Sequence, residues 1–325
     1  MLEVVTGSRL HFGLLELAAG EPMRFGGLGL MLDEPGWVLR FGKDRSTPST
    51  KLARAEISTD IAARIEKVRE LLREQTGQDF NAQVDVLRTL PLHSGLGAGT
   101  QLATAVALGL SLSSRLTTEP KIDDMVQNSG RGKRSGIGLY GFLHGGLILD
   151  EGHSREMVRA IRATSVNVNW EWRVVLLTPD QVDAVTGGYE ASLLERLGQT
   201  PNSSRGRMFE LAKRSLELAS HESGFDDFTT VLQEYVDAAG ELFCPGQGGM
   251  YNGDSVGLAV ELAKESGLRA VGQSSWGPTV FGFAESQTDA EQIAAKLTEM
   301  RPNERWQIRI CTPARQGASW RWVEE

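Results

Sequence analysis

Between residues 80 and 114 the chain sets out a strand, a glycine loop and a helix in immediate succession, and this junction limits the folds open to it. Phe80, Ala82, Val84 and Val86 alternate with polar or charged neighbours, the period-two pattern of a half-buried strand over 80–90. Pro91-Leu92-His93-Ser94-Gly95-Leu96-Gly97-Ala98-Gly99-Thr100-Gln101 follows, and an Ala- and Leu-rich helix runs from it to about Ser114. A helix start offers unpaired N–H groups and the positive end of the macrodipole, so it suits an anion. Glycines let the backbone bend round a phosphate without Cβ clashes. The loop lacks the Gly-Lys-Ser/Thr ending of a Walker loop and the third-glycine spacing of a dinucleotide fingerprint, so it supports neither.

The remaining glycines point the same way. There are 37 in 325 residues, and they gather at 26–29, 95–99, 130–146, 246–249 and 272–282 rather than forming a linker. Such clusters are either tight turns or several loops converging on one ligand. The net charge of −8 argues against nucleic-acid or anionic-membrane binding, although a local basic pocket for a small anion stays open. The longest mostly apolar run, 102–112, is about half of the ~20 residues a membrane helix needs. Glu3 and Arg9 interrupt the start, so no apolar leader is read there. Cys244 and Cys311 alone build neither a disulfide framework nor a four-ligand zinc site. A cytoplasmic protein of two domains is expected.

Residues 2–5, 9–17, 28–32 and 37–41 read as four short strands punctuated by Gly and Pro. Ile57, Ile61, Ile65, Val68, Leu71 and Leu72 share one stripe and predict a helix over 56–74. A helix is expected over 122–129 and a strand over 147–149. The texture changes at 165–172, which divides the chain into domains 1–168 and 169–325. Beyond it come a strand over 172–178 and helices over 189–197, 208–219 and 225–242. A helix (254–267), strands (270–274 and 279–283), a helix (289–300) and a strand (306–311) complete a split β-α-β layer. The fold class is α+β in both halves.

The loop Gly95-Leu96-Gly97-Ala98-Gly99, with Gly7-Ser8-Arg9-Leu10-His11-Phe12-Gly13 before it and Gly272-Gln273-Ser274-Ser275-Trp276-Gly277-Pro278-Thr279 after it, resembles the motifs of the GHMP kinase superfamily in order and spacing. The resemblance implies an N-terminal domain like ribosomal protein S5 domain 2, a ferredoxin-like C-terminal domain and a ligand cleft between them. Two departures argue against phosphoryl transfer. Ala98-Gly99 replaces the family's Ser-Ser, and Leu139 stands in the slot of the catalytic Asp. Loss of a general base is worth roughly 10²–10⁴ in rate.

A closer resemblance is to the beta-ribofuranosylaminobenzene 5'-phosphate synthases. It is carried by 8–14, Arg24-Phe25-Gly26-Gly27-Leu28-Gly29, Asp33-Glu34-Pro35, Gly95 to Gln101, and Gly130-Arg131-Gly132-Lys133-Arg134-Ser135-Gly136-Ile137-Gly138. These enzymes join phosphoribosyl pyrophosphate to 4-aminobenzoate, with loss of CO₂ and pyrophosphate, in tetrahydromethanopterin biosynthesis. The resemblance implies catalytic roles for Arg9, His11, Arg131, Lys133 and Arg134. It implies donor or acceptor binding by Arg24, His93, Gly95, Leu96, Gly97, Ala98, Gly99, Thr100, Gln101, Ser274 and Gly277. Arginine's planar fork suits phosphate and carboxylate. Three cations in the four positions 131–134 would repel one another without an anion. Mg²⁺ would neutralise the departing pyrophosphate, with Asp33 and Glu34 as metal or ribose ligands or simply a charged turn before Pro35. Phe12, Phe25 and Trp276 are either core residues or a stack for the aromatic ring. Two other functions stay open at this point: an ATP-dependent small-molecule kinase, and a catalytically silent relative acting as a ligand sensor. The acceptor is 4-aminobenzoate or 4-hydroxybenzoate, and a homodimer is expected, its contact suited to the Trp-containing C-terminal region.

Overall fold

Two β-sheets carry the chain. The computed structural model describes residues 1–15, 25–44, 50–52, 59–114, 119, 121–132, 135–152, 162–179, 202–219, 224–300 and 306–324. The first sheet is built on two long strands, β1 (Leu2–Leu14) and β2 (Gly27–Asp44), paired antiparallel. The four short strands expected here are therefore two. Glycine and proline do not break them; they are absorbed by register shifts between Thr6 and Ser8 and between His11 and Gly13. At the first shift the strands approach too closely for a side chain: a Cβ on Gly7 would lie 1.9 Å from the Leu32 carbonyl oxygen.

β3 (Thr50–Leu52) and β4 (Ala82–Arg88) extend this sheet beyond β2, while β5 (Leu147–Asp150) and β6 (Ala163–Val166) branch from it. The last strand of the chain, β11 (Ser319–Trp322), returns to pair with β1 and puts a C-terminal segment at the edge of the N-terminal sheet. Glu3 anchors it, accepting hydrogen bonds from Arg321 at 2.7 Å and Arg40 at 2.8 Å.

Helix α1 (Thr59–Thr76) lays Ile61, Ile65, Val68 and Leu72 on the core, the stripe its spacing predicts. Helix α2 (Ala98–Ser113) is buried along nearly its whole length, which explains a composition of Ala, Leu, Val and Thr without a single charge. Helix α3 (Ile122–Ser129) follows, and then α4 (Ile137–His144), which the glycines of 130–146 hide from a reading by propensity. Packing overrides propensity there, because Ile137, Leu139 and Phe142 are fully buried.

The second sheet has the order β10 (Trp306–Cys311), β7 (Arg173–Pro179), β9 (Val280–Ala284), β8 (Arg269–Gln273), all antiparallel. With α7 (Asp254–Ser266) before β8 and α8 (Gln287–Met300) before β10, this is the ferredoxin-like arrangement that the resemblance implied. Helices α5 (Asn202–Ala219) and α6 (Phe225–Gln247) are inserted after β7; the helix expected over 189–197 lies outside the described residues. The expected division at 168/169 falls between β6 and β7, where the chain changes sheets.

Helix α6 locks onto the first sheet. The buried Tyr235 hydroxyl donates to the Gly13 carbonyl at 2.8 Å and accepts from the Leu28 N–H at 3.1 Å. A Cβ on Gly13 would meet the Ala239 Cβ at 2.2 Å, so helix and strand are in backbone-range contact. No helix among the described residues is long and apolar enough to cross a membrane.

Candidate active site

The two outer glycine motifs interlock. Gly97, at φ 71, is the N-cap of α2, and no side chain caps that helix end. Arg9 reaches the same loop from β1, its N–H donating to the Leu96 carbonyl at 2.9 Å. A Cβ on Gly277 would lie 2.2 Å from the Gly95 nitrogen, so the C-terminal motif rests directly on the loop before α2. The Ser274 hydroxyl joins three segments: it accepts from the His11 N–H at 3.1 Å and donates to the Gly95 carbonyl at 2.9 Å.

The cleft beside this interlock has a volume of about 470 Å³. Arg9, Thr100, Arg131, Ser135 and the backbone of Gly130, Gly132 and Gly138 give its lining cations and hydrogen-bond donors. Val236, Phe243, Met250, Tyr251 and Trp276 give it apolar and aromatic surface. Phe243 and Trp276 meet edge to face at 4.8 Å, a stable wall for a planar ring. No Asp or Glu is among the described residues that line the cleft. Burial and the neighbouring Arg64 guanidinium lower the Arg131 pKa from its ordinary value; a guanidinium stays charged at neutral pH all the same.

Of the residues expected to act here, Arg9, His11, Arg131 and Thr100 line the cleft. Gly97, Ala98 and Gly99 form the start of α2 beside it; a Cβ on Gly97 would meet the Arg9 Nε at 2.9 Å. Several others hold the loops together instead. Gln101 is fully buried, its amide donating to the Gly138 carbonyl at 2.9 Å and its oxygen accepting from Thr6 at 2.5 Å. Ser274 is fully buried, and Gly95, Leu96 and Gly277 belong to the interlock. His93, at φ 61, stands outside the cleft near Asp60, with Nε2 4.0 Å from an Asp60 carboxylate oxygen. Asp33 and Glu34 are exposed on β2 away from the cleft, and Glu34 pairs with Arg88 at 2.6 Å. The metal role considered for them has no support in this placement, and no group of three metal-ligating side chains occurs among the described residues. Phe12 is buried 4.9 Å from Phe281 and also lines the cleft, while Phe25 is not among the residues lining it. Arg24, Lys133 and Arg134 lie outside the described residues.

His11 is neutral. Burial, and then the charge of Arg9, hold its pKa well below the ordinary 6.5, and Nδ1 accepts from the Gly13 N–H at 3.2 Å. Below pH 6.5 the unfolded chain takes up a proton that folded His11 refuses, so stability falls as pH falls from there toward the folded-state pKa. The slope from this residue is at most about 1.4 kcal/mol per pH unit. Melting curves from pH 7.5 to 5.5 should show this loss, and His11→Gln should remove part of it. An unaltered pH profile in the variant would assign the loss to other groups.

Leu139, which the resemblance sets in the place of a catalytic Asp, is fully buried in the core. Comparison with known proteins agrees with the order of these motifs. Residues 63–146 match the GHMP kinases N terminal domain, and residues 248–303 match the GHMP kinases C terminal domain. The chain carries a GHMP kinase N-terminal domain and a GHMP kinase C-terminal domain. It is 26% identical over 309 residues to the beta-ribofuranosylphenol 5'-phosphate synthase of Methanocaldococcus jannaschii, covering 89% of this chain and 91% of that one. To the synthase of the same name from Archaeoglobus fulgidus it is 28% identical over 299 residues, 88% of each. Its fold matches homoserine kinase from Cytophaga hutchinsonii with a TM-score of 0.67 at 16% identity, covering 98% and 96% of the two chains. It also matches mevalonate diphosphate decarboxylase from Staphylococcus aureus with a TM-score of 0.64 at 16% identity, covering 99% of each. The structural matches speak to fold alone.

Sequence reasoning missed Phe243, Met250 and Tyr251. They come from the end of α6 and the segment after it, where an apolar residue facing a cleft has the same sequence signal as one facing the core.

Proposed function

We propose that this transferase joins phosphoribosyl pyrophosphate to 4-hydroxybenzoate, releasing CO₂ and pyrophosphate. One observation carries the reading: a cleft that brings the guanidinium groups of Arg9 and Arg131 together with the aromatic rings of Phe243, Tyr251 and Trp276, with no carboxylate among its described lining residues. The donor is polyanionic and the acceptor is a planar aromatic acid, so each finds matching groups in the lining. The names of the relatives describe a ribose 5'-phosphate joined to a phenol, which favours hydroxybenzoate over aminobenzoate.

In this scheme the ring carbon bearing the carboxylate attacks C1' of the ribose. The C1'–O bond breaks with its electron pair leaving on pyrophosphate. The bond to the carboxylate then breaks, CO₂ departs and its electron pair restores the aromatic ring. No side chain has to accept a proton, which suits a cleft whose described lining lacks a carboxylate and whose His11 is held neutral. Arg9 and Arg131 stabilise the departing charge, and Phe243 and Trp276 hold the ring against C1'. Magnesium needs oxygen ligands, usually carboxylates. Asp33 and Glu34 stand away from the cleft, so the described residues do not fit a protein-held ion and no step is routed through one.

Incubation with phosphoribosyl pyrophosphate and carboxyl-labelled 4-hydroxybenzoate should release labelled CO₂, with the labelled aminobenzoate as the slower acceptor. No release with either acceptor would overturn the reading. ATP-dependent phosphorylation of homoserine, mevalonate or galactose should be absent, because the general-base slot holds Leu139. Turnover of any of these at the ordinary kinase scale of about 1–100 s⁻¹ would instead favour a kinase.

A further inference from the structure

Arg64 has no part in the scheme above, yet its geometry is built. It lies one turn into α1, where Asp60 accepts two hydrogen bonds from it, from Nε at 3.0 Å and Nη2 at 3.1 Å. The bidentate grip fixes the guanidinium plane and turns Nη1 toward the first turn of α2. Nη1 stands 3.3 Å from the point where a Cβ on Gly99 would be, and Arg131 Nη2 stands 3.4 Å from the same point. His93 Nε2 is 3.5 Å from Arg64 Nη2.

Two guanidinium groups from separate elements thus converge over a helix N-terminus that already carries partial positive charge. Asp60 supplies one negative charge against the two, and it sits on the far side of Arg64 from Gly99. A surface ion pair at i, i+4 spacing does not require a second arginine to approach it, and like charges this close repel unless an anion lies between them. Arg64 is absent from the cleft lining whereas Arg131 belongs to it, and its partner Asp60 is a half-exposed surface residue, so Arg64 stands toward the surface from Arg131.

We infer that Arg64 and Arg131 bracket the 5'-phosphate of the sugar donor, making Arg64 a specificity-determining residue for that substrate. The choice of ligand rests on the transferase reading. Pyrophosphate and acceptor both meet at C1', which must face the aromatic wall. The phosphate on C5' is the donor group remote from that centre, and the outward position suits it. Pyrophosphate then lies inward with Arg9 and Thr100, and Arg131 serves both groups.

The test is isothermal titration of the full chain with ribose 5-phosphate and, separately, with pyrophosphate, comparing wild type, Arg64→Gln and Arg64→Lys. Arg64→Gln should weaken ribose 5-phosphate binding about tenfold or more, the scale of a lost charge-assisted hydrogen bond. Pyrophosphate affinity should change less than about twofold, since Arg64 does not reach that group, and Arg64→Lys should recover part of the loss. In turnover, KM for phosphoribosyl pyrophosphate should rise while kcat stays near wild type, the signature of binding remote from the reacting bond. Unchanged ribose 5-phosphate affinity in a folded Arg64→Gln variant, with wild-type CO₂ release intact, overturns this assignment alone. Equal weakening of both ligands overturns it as well, leaving Arg64 a general source of positive field. If wild type binds neither ligand and releases no CO₂, the transferase reading and this assignment fail together.

Discussion

Arg131→Ala is expected to lower kcat for CO₂ release about 100-fold, or roughly 3 kcal/mol, without unfolding the protein. Pyrophosphate gains negative charge as the C1'–O bond breaks, so a fixed donor aimed at it contributes more in the transition state than in the ground state. Arg131 lines the cleft and stands against another guanidinium, that of Arg64. Removing it relieves a repulsion, so the melting temperature should hold or rise while activity falls. Arg131→Lys should recover only part of the rate, because an ammonium cannot make the bidentate fork. Added salt should weaken donor binding in wild type, through screening of a multiply charged ligand. Steady-state kinetics beside a thermal melt separate the two effects. Wild-type kcat and KM in Arg131→Ala would make this arginine a solvated turn residue.

Gly277→Val should act in the opposite way, by destabilising the junction of the two sheets. A Cβ there would lie 2.2 Å from the Gly95 nitrogen, 2.3 Å from its Cα and 2.5 Å from the Ser94 carbonyl carbon. All three are backbone atoms, so no side-chain rotation relieves the clash, and the loops must part. The expected cost is about 3 kcal/mol, at the upper end of overpacking effects. Parting the loops also breaks the Ser274 bridge to His11 and Gly95, so donor affinity should fall with stability. Chemical denaturation and titration with phosphoribosyl pyrophosphate would show both losses. A variant with wild-type stability would mean that the loops tolerate separation.

The contrast between these two residues shows what was legible before the fold was known. Both sit in motifs that the sequence marks plainly, by glycine spacing at Gly272 to Gly282 and by charge at Gly130 to Arg134. Its charge marks Arg131 as an anion ligand, and its place in the cleft suits that role. The same kind of motif suggests ligand contacts for Gly277 and Ser274, yet they face protein, with Ser274 fully buried. A glycine motif announces that a backbone must come close to something. It does not say whether that something is a phosphate or another loop.

The sequence by itself determined what local periodicity and motif order encode. These include the apolar stripe of α1, the alternation behind β4, the uncharged and therefore buried α2, the strand at 306–311 and the α+β class. Each depends on neighbours within a few turns or residues, so side-chain spacing alone settles it. Only the tertiary structure decided which distant side chains meet. It took Asp33 and Glu34 away from the cleft, brought Phe243 and Trp276 together as a wall, and carried Arg64 from an ordinary polar helix face to a point shared with Arg131. These contacts join elements tens of residues apart. They depend on strand register and on the packing of α1 and α6 against the sheets, a summed result of the whole core that no local window contains.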